Sequence, residues 1–282
     1  MINHKGWQRV LRISIPYFFI VGIFQIVGFL IIDIDYDNIN LNINLEKKTI
    51  LSFFTSIGTF LTIYIFMKYV DKVTFINLGF SVKNKRYIDL LFGFIIGFFI
   101  LFFGFSFLLI FKQISFVESN FNLKKIVFSV ILFTIVAFTE ETLFRGYILK
   151  NLIVSFNKYI ALIVSSLLFA LAHGANPNIS WLSFFDLFLA GIFLGISYIF
   201  TKNLWFPIAL HFSWNLFQTF FGFNVSGQDM YSIIEFKIAE NNLLNGGNFG
   251  FEGSILSIVF QIIFIVIIWS YYRKQEKINS II

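Results

Sequence analysis

The chain has 282 residues, of which 58% are hydrophobic and only 13% charged. A soluble domain carries about 25% charged residues, so composition argues against an ordinary water-soluble fold. The chain has no cysteine, which excludes disulfides, thiolate metal sites and cysteine nucleophiles, and its formal charge of +6 reads as basic loops beside a membrane, with no nucleic-acid partner expected.

A membrane-spanning helix needs about 20 mostly apolar residues. Segments 13–32, 49–67 and 90–111 are charge-free runs of that kind. No small-residue cleavage site follows the first, so it reads as a retained helix and not a signal peptide. The fourth run, 126–149, contains Glu140, Glu141 and Arg145. The fifth, 159–173, ends at His173. The sixth, 182–200, has Asp186 near its start, where an interfacial position is expected. Gly191 and Gly195 are four apart in that run, a spacing that allows close helix packing. The seventh, 204–221, contains His211, and the eighth is 253–272.

These runs predict an all-α, polytopic transmembrane helix bundle of about eight spans. It reads as one integral membrane domain over 1–282, with a motif-bearing core at 126–221. With the N-terminus inside, 15 of the 21 basic residues fall in inside segments; only Lys47, Lys48, Lys112, Lys124, Lys125 and Lys237 fall outside. That bias puts both termini in the cytoplasm and the protein in the cell membrane as a multi-pass protein. Asp33, Asp35, Asp37 and the longest loop, 224–252, fall outside. The Asn and Gly content of that loop predicts a mobile surface segment.

Carboxylates at membrane depth cost a few kcal/mol each and are rarely kept without a role. Glu141 and Arg145 are four apart, acid first, so they share a helix face and are expected to pair. Glu140 lies about 100° around the helix and is left free to face something else. A desolvated carboxylate suits a general base. His211 and Asn215 are also four apart and share a face. Of three histidines, His4 lies in the basic N-terminal tail, and His173 and His211 lie in spans. Glu140 would activate a water. His173, His211 and Asn215 would hold that water, stabilise an oxyanion or ligate a metal. Phe169 is expected to pack.

A ruler exposes a tension. At about 1.5 Å per residue, Glu140 lies roughly 21 Å from the outer start of its run and His173 roughly 21 Å from the inner start of its own. Perpendicular helices would separate the two. Tilted helices, a deeper start for the fifth span or a different end for the fourth would each reduce the gap.

Glu140-Glu141-x-x-x-Arg145, Phe169-x-x-x-His173 and His211-x-x-x-Asn215 together resemble the CPBP family, which includes CAAX proteases and bacteriocin-processing enzymes and is also called Abi. The resemblance implies an intramembrane endopeptidase. It implies Glu140 as base with His173 beside it, His211 and Asn215 as the oxyanion- or metal-facing part, and Glu141, Arg145 and Phe169 in support. It leaves open a glutamate mechanism or a divalent metal such as zinc, with Glu140, His173 and His211 as candidate ligands. The implied partners are membrane lipid and a peptide or protein substrate, either a leader peptide or a lipidated C-terminus.

Other readings have less support. There is no His-Glu-x-x-His pattern for a zinc protease of another type. Gly195-Ile196-Ser197 and Gly104-Phe105-Ser106 show how cheaply a serine-protease Gly-x-Ser pattern arises. A transporter using Glu140 and Asp186 lacks a paired inverted repeat. The chief alternative is a non-catalytic scaffold or bacteriocin self-immunity protein that binds a peptide or a sensor partner.

Overall fold

The computed structural model describes residues 5–32, 43–82 and 87–279. His4, Asp33, Asp35, Asp37, Lys83, Lys85 and Arg86 lie outside the described residues. The chain folds as α1 (Gly6–Ile32), α2 (Leu45–Phe66, continued by a π-helical turn Met67–Asp71), α3 (Tyr87–Ile110), β1 (Ser115–Ser119) and α4 (Leu123–Glu141). A π-helical stretch, Thr142–Leu149, joins α4 to α5 (Lys150–Ser155). Then follow α6 (Lys158–Ala172), α7 (Trp181–Gly195), α8 (Tyr198–Thr201), α9 (Trp205–Phe220), β2 (Ile234–Lys237) and α10 (Ile255–Asn279). The only sheet among the described residues is the antiparallel β1–β2 pair.

Helix starts follow local chemistry. Asn44, Asn122 and Ser180 each accept a hydrogen bond from the backbone N–H three residues on, at the heads of α2, α4 and α7. Asn157 does the same for Tyr159 at the head of α6. The outer helices are apolar on the surface: Ile15, Phe18, Phe19 and Leu30 of α1 are well exposed, as lipid-facing side chains are.

Six helical stretches are long and apolar enough to cross a membrane: Gly6–Ile32, Leu45–Asp71, Tyr87–Ile110, Leu123–Ser155, Trp181–Thr201 and Ile255–Glu276. The other two expected spans, α6 and α9, have 15 and 16 residues. At about 1.5 Å per residue they fall short of a hydrocarbon core roughly 30 Å thick. His173 caps the end of the first of these short helices, and His211 lies within the second.

The start of α1 and the last turns of α10 lie at one end of the bundle. The backbone N–H of Trp7 donates to Ser155 Oγ at 3.2 Å, and Lys158 Nζ pairs with Glu276 at 2.6 Å. The turn between α5 and α6 therefore sits beside the start of α1 and the end of α10. This geometry removes the depth tension. The fourth span runs on to Ser155, past the expected end at 149. Glu140 and His173 are then each 15 positions from the two sides of that turn, Ser155 and Lys158, and lie level in an antiparallel pair.

Two local expectations are corrected. Segment 224–252 is not a loose surface segment. Phe249, Phe251 and Asn245 are buried, and Gly250 suits its place twice over: its φ is 97°, and a Cβ there would lie 2.0 Å from the Asn224 carbonyl oxygen. Lys48 Nζ donates to the Asp229 carbonyl at 2.9 Å, and the Tyr231 hydroxyl receives the Asn122 N–H at 2.8 Å, pinning the segment to α2 and α4. Asp186 is not interfacial: it is fully buried, and Gln261 Nε2 donates to its Oδ1 at 2.8 Å. Packing of α10 over α7 closes that position, which no local spacing reveals.

Candidate active site

Glu140 and Glu141 end α4, where the helix widens into the π-helical stretch carrying Arg145. The two carboxylates diverge. Glu141 is fully buried, and Arg145 Nη1 donates to its Oε1 at 2.8 Å. Arg145 Nη2 donates to the Gly191 carbonyl at 3.1 Å, and its guanidinium lies 4.6 Å from the Phe169 ring centre. One side chain thus ties α6 and α7 to the end of α4. Gly191 permits this approach, since a Cβ there would lie 2.7 Å from Ser166 Cα. The expected close packing through Gly191 is present.

His211 of α9 completes the network. Its Nδ1 lies 2.8 Å from Glu141 Oε1. A carboxylate paired with arginine only accepts, so His211 Nδ1 carries the hydrogen and Nε2 is left for the cavity that the ring lines. The sequence reading made His211 a partner of Glu140; the structure joins it to Glu141 instead. Rotation of α9 against α4 decides this.

Glu140 faces His173. His173 ends α6, and its Nδ1 lies 2.8 Å from the Phe169 carbonyl, so that nitrogen also carries the hydrogen. Nε2 lies 3.7 Å from Glu140 Oε2. Oε2 has no hydrogen-bond partner among the described residues. The two atoms are close enough for a single water to hydrogen-bond to both. Phe169 packs between Arg145 and the His173 ring, whose centre is 4.5 Å away.

A cavity of about 1330 Å³ opens onto these groups. Glu140, His173, His211 and Asn215 all line it. Asn215 is buried and makes no hydrogen bond among the described residues, so its carboxamide is free for a ligand. Glu141 and Arg145 stand behind the cavity wall. Tyr17 of α1 also lines the cavity, with its hydroxyl 3.2 Å from Thr59 Oγ1 and within electrostatic range of Glu140. Sequence reasoning missed it, because a tyrosine in a charge-free apolar run carries no local signal.

Among the described residues, no three His, Asp or Glu side chains gather to hold an ion. Glu140 and His173 approach one another, while His211 is turned to Glu141. This arrangement of donors fits a metal ion poorly.

Residues 122–217 match the family model described as type II CAAX prenyl endopeptidase Rce1-like. This segment belongs to the CPBP family. The CPBP segment spans α4 through most of α9 and includes all three motifs. Through it the chain is CAAX protease-like, with a membrane-associated peptide or protein as the class of substrate. No curated protein matches the chain at a significant level.

Proposed function

We propose that the chain is an intramembrane endopeptidase of the cell membrane that hydrolyses a peptide bond with a glutamate-activated water. The observation that carries this reading is the approach of Glu140 Oε2 and His173 Nε2 to 3.7 Å, from two different helices, on the wall of one cavity. A water between them gives a proton to Glu140 as it attacks the carbonyl carbon. The tetrahedral intermediate then carries a negative oxygen. The Asn215 amide donates to that oxygen, and so does His211 Nε2 when the ring is protonated. Glu140 returns the proton to the departing amine, with His173 holding the carboxylate in line. Glu141 and Arg145 position His211 and do not touch the substrate.

The mostly apolar cavity suits a segment that lies in or on the membrane, such as a leader peptide or a lipidated C-terminus. The test uses protein purified into lipid nanodiscs and a fluorogenic peptide library. Wild-type protein should cleave members of the library. Glu140→Ala and His173→Ala should each abolish cleavage while the protein stays inserted and folded. Full activity in both variants would remove the hydrolytic reading and favour a peptide-binding scaffold.

A further inference from the structure

A second polar group lies away from the motifs, with Glu252 and Gln261 on the wall of the same cavity and Asp186 behind Gln261. Asp186 of α7 and Gln261 of α10 are fully buried, and Glu252, just before α10, is nearly so. Gln261 Nε2 spends its donors on Asp186 Oδ1 at 2.8 Å and Ser257 Oγ at 3.0 Å. This leaves Gln261 Oε1 and Asp186 Oδ2, both buried, without hydrogen-bond partners among the described residues. Glu252 Oε2 receives the Ser226 N–H and hydroxyl at 2.7 and 3.0 Å, leaving Oε1 open. Asp186 and Glu252 lie within electrostatic range of each other. No Lys, Arg or His forms an ion pair with either carboxylate among the described residues.

Glu252 and Gln261 both line the cavity that holds Glu140, His173, His211 and Asn215. The group is therefore rich in acceptor oxygens, and its nearby donors are the Gln261 amide and the Ser257 hydroxyl, neither of which carries a positive charge. Buried acceptors without donors cost about 1–3 kcal/mol each, and buried carboxylates without a cation cost more. A cation with several N–H donors, or a bare ion, satisfies all of them at once.

We propose that Glu252 and Gln261, backed by the buried Asp186, form a cation subsite of the cavity, which takes the ammonium or guanidinium group of a basic residue in the substrate. This deepens the hydrolytic reading and rests on it for the peptide part. Asp186 is five residues before Gly191, the residue that holds Arg145, or roughly 7.5 Å along α7. An extended peptide advances about 3.3 Å per residue, so the basic residue falls within a few positions of the cleaved bond.

The test uses peptide pairs that differ only by lysine or norleucine, scanned across the positions flanking the cleaved bond, with the protein in nanodiscs. Wild-type protein should prefer lysine at one position by about tenfold or more in kcat/KM. That ratio should fall close to one in Asp186→Asn and in Glu252→Gln. Gln261→Lys, which supplies an internal cation, should lose the preference too, an outcome that a merely structural role for the cluster does not predict. Thermal unfolding of each variant reports whether it has folded.

Two further measurements separate the readings. Binding of the same peptide pairs to Glu140→Ala protein, read by fluorescence anisotropy, does not require cleavage. Lysine preference in binding with no cleavage by wild-type protein would remove the hydrolytic reading and keep the subsite. Thermal unfolding in Na⁺, K⁺ or Ca²⁺ against choline reports an inorganic occupant. A rise in midpoint that Asp186→Asn loses would assign the same oxygens to a metal cation. Equal handling of lysine and norleucine in cleavage and binding, with no cation-dependent shift, would overturn the proposal.

Discussion

His211 Nδ1 stands 2.8 Å from Glu141 Oε1, while the neighbouring Glu140 faces His173 at 3.7 Å, so two consecutive glutamates serve histidines from two different helices. Consecutive helical residues point about 100° apart, and α6 and α9 pack on the two directions so defined. One carboxylate is locked and the other is open to the cavity.

The first prediction separates the two glutamates. Glu141→Gln leaves the fully buried Arg145 without its counter-charge, so stability should fall by about 3–5 kcal/mol. Glu140 Oε2 has no hydrogen bond to lose. Glu140→Gln should therefore unfold close to the wild-type midpoint while hydrolysis falls by about 10²–10⁴-fold or more. Thermal unfolding in detergent beside a cleavage assay checks both. A stable, inactive Glu141 variant with a fully active Glu140 variant would reverse the assignment.

The second concerns the oxyanion. Asn215 lines the cavity without a hydrogen-bond partner among the described residues. Asn215→Ala should lower kcat by about 10²–10³-fold with KM little changed, the signature of an interaction made only in the transition state. Steady-state kinetics on one cleaved peptide decide it. A rise in KM at constant kcat would instead make Asn215 a substrate-binding group.

The third tests the packing that supports the site. A Cβ at Gly191 would lie 2.7 Å from Ser166 Cα, a backbone atom that cannot move aside cheaply. Gly191→Val should cost about 1–3 kcal/mol and reduce cleavage, because Arg145 loses its hold on the Gly191 carbonyl. Gly22 has open space around its Cβ position, so Gly22→Ala serves as the control and should not lower the unfolding midpoint. An unperturbed Gly191→Val protein would mean that α6 and α7 are not held at this distance.

The fourth follows from the donor arrangement. With His211 turned to Glu141 and no three donors gathered among the described residues, exhaustive treatment with a chelator should leave the cleavage rate unchanged within about twofold. Loss of cleavage restored by added zinc would show that the side chains close around an ion when one is present.

Much of the site was legible one helix at a time. The Glu141–Arg145 pair follows from its four-residue spacing, and Gly191 follows from the small-residue pattern, because both depend on local helix geometry. Asp186 was misread, since its distance from a helix end does not reveal that α10 lies over it. Segment 224–252 was misread for the same reason: its Asn and Gly residues look like a loop, yet they let Phe249 and Phe251 turn inward. Tyr17 left no trace in the sequence because its partners come from α2 and α4.

The amino-acid sequence alone determined that this chain is a helical membrane bundle and which side chains are the candidates for its chemistry. Apolar runs of about 20 residues have one low-energy form in lipid, a helix that satisfies its own backbone, and few ionisable groups survive inside such runs without a role. Only the tertiary structure decided which carboxylate meets which histidine. That choice depends on the rotation and depth of four packed helices and on the fourth span running to Ser155, which brings Glu140 level with His173. Spacing within a helix says which residues share a face; it does not say what that face meets.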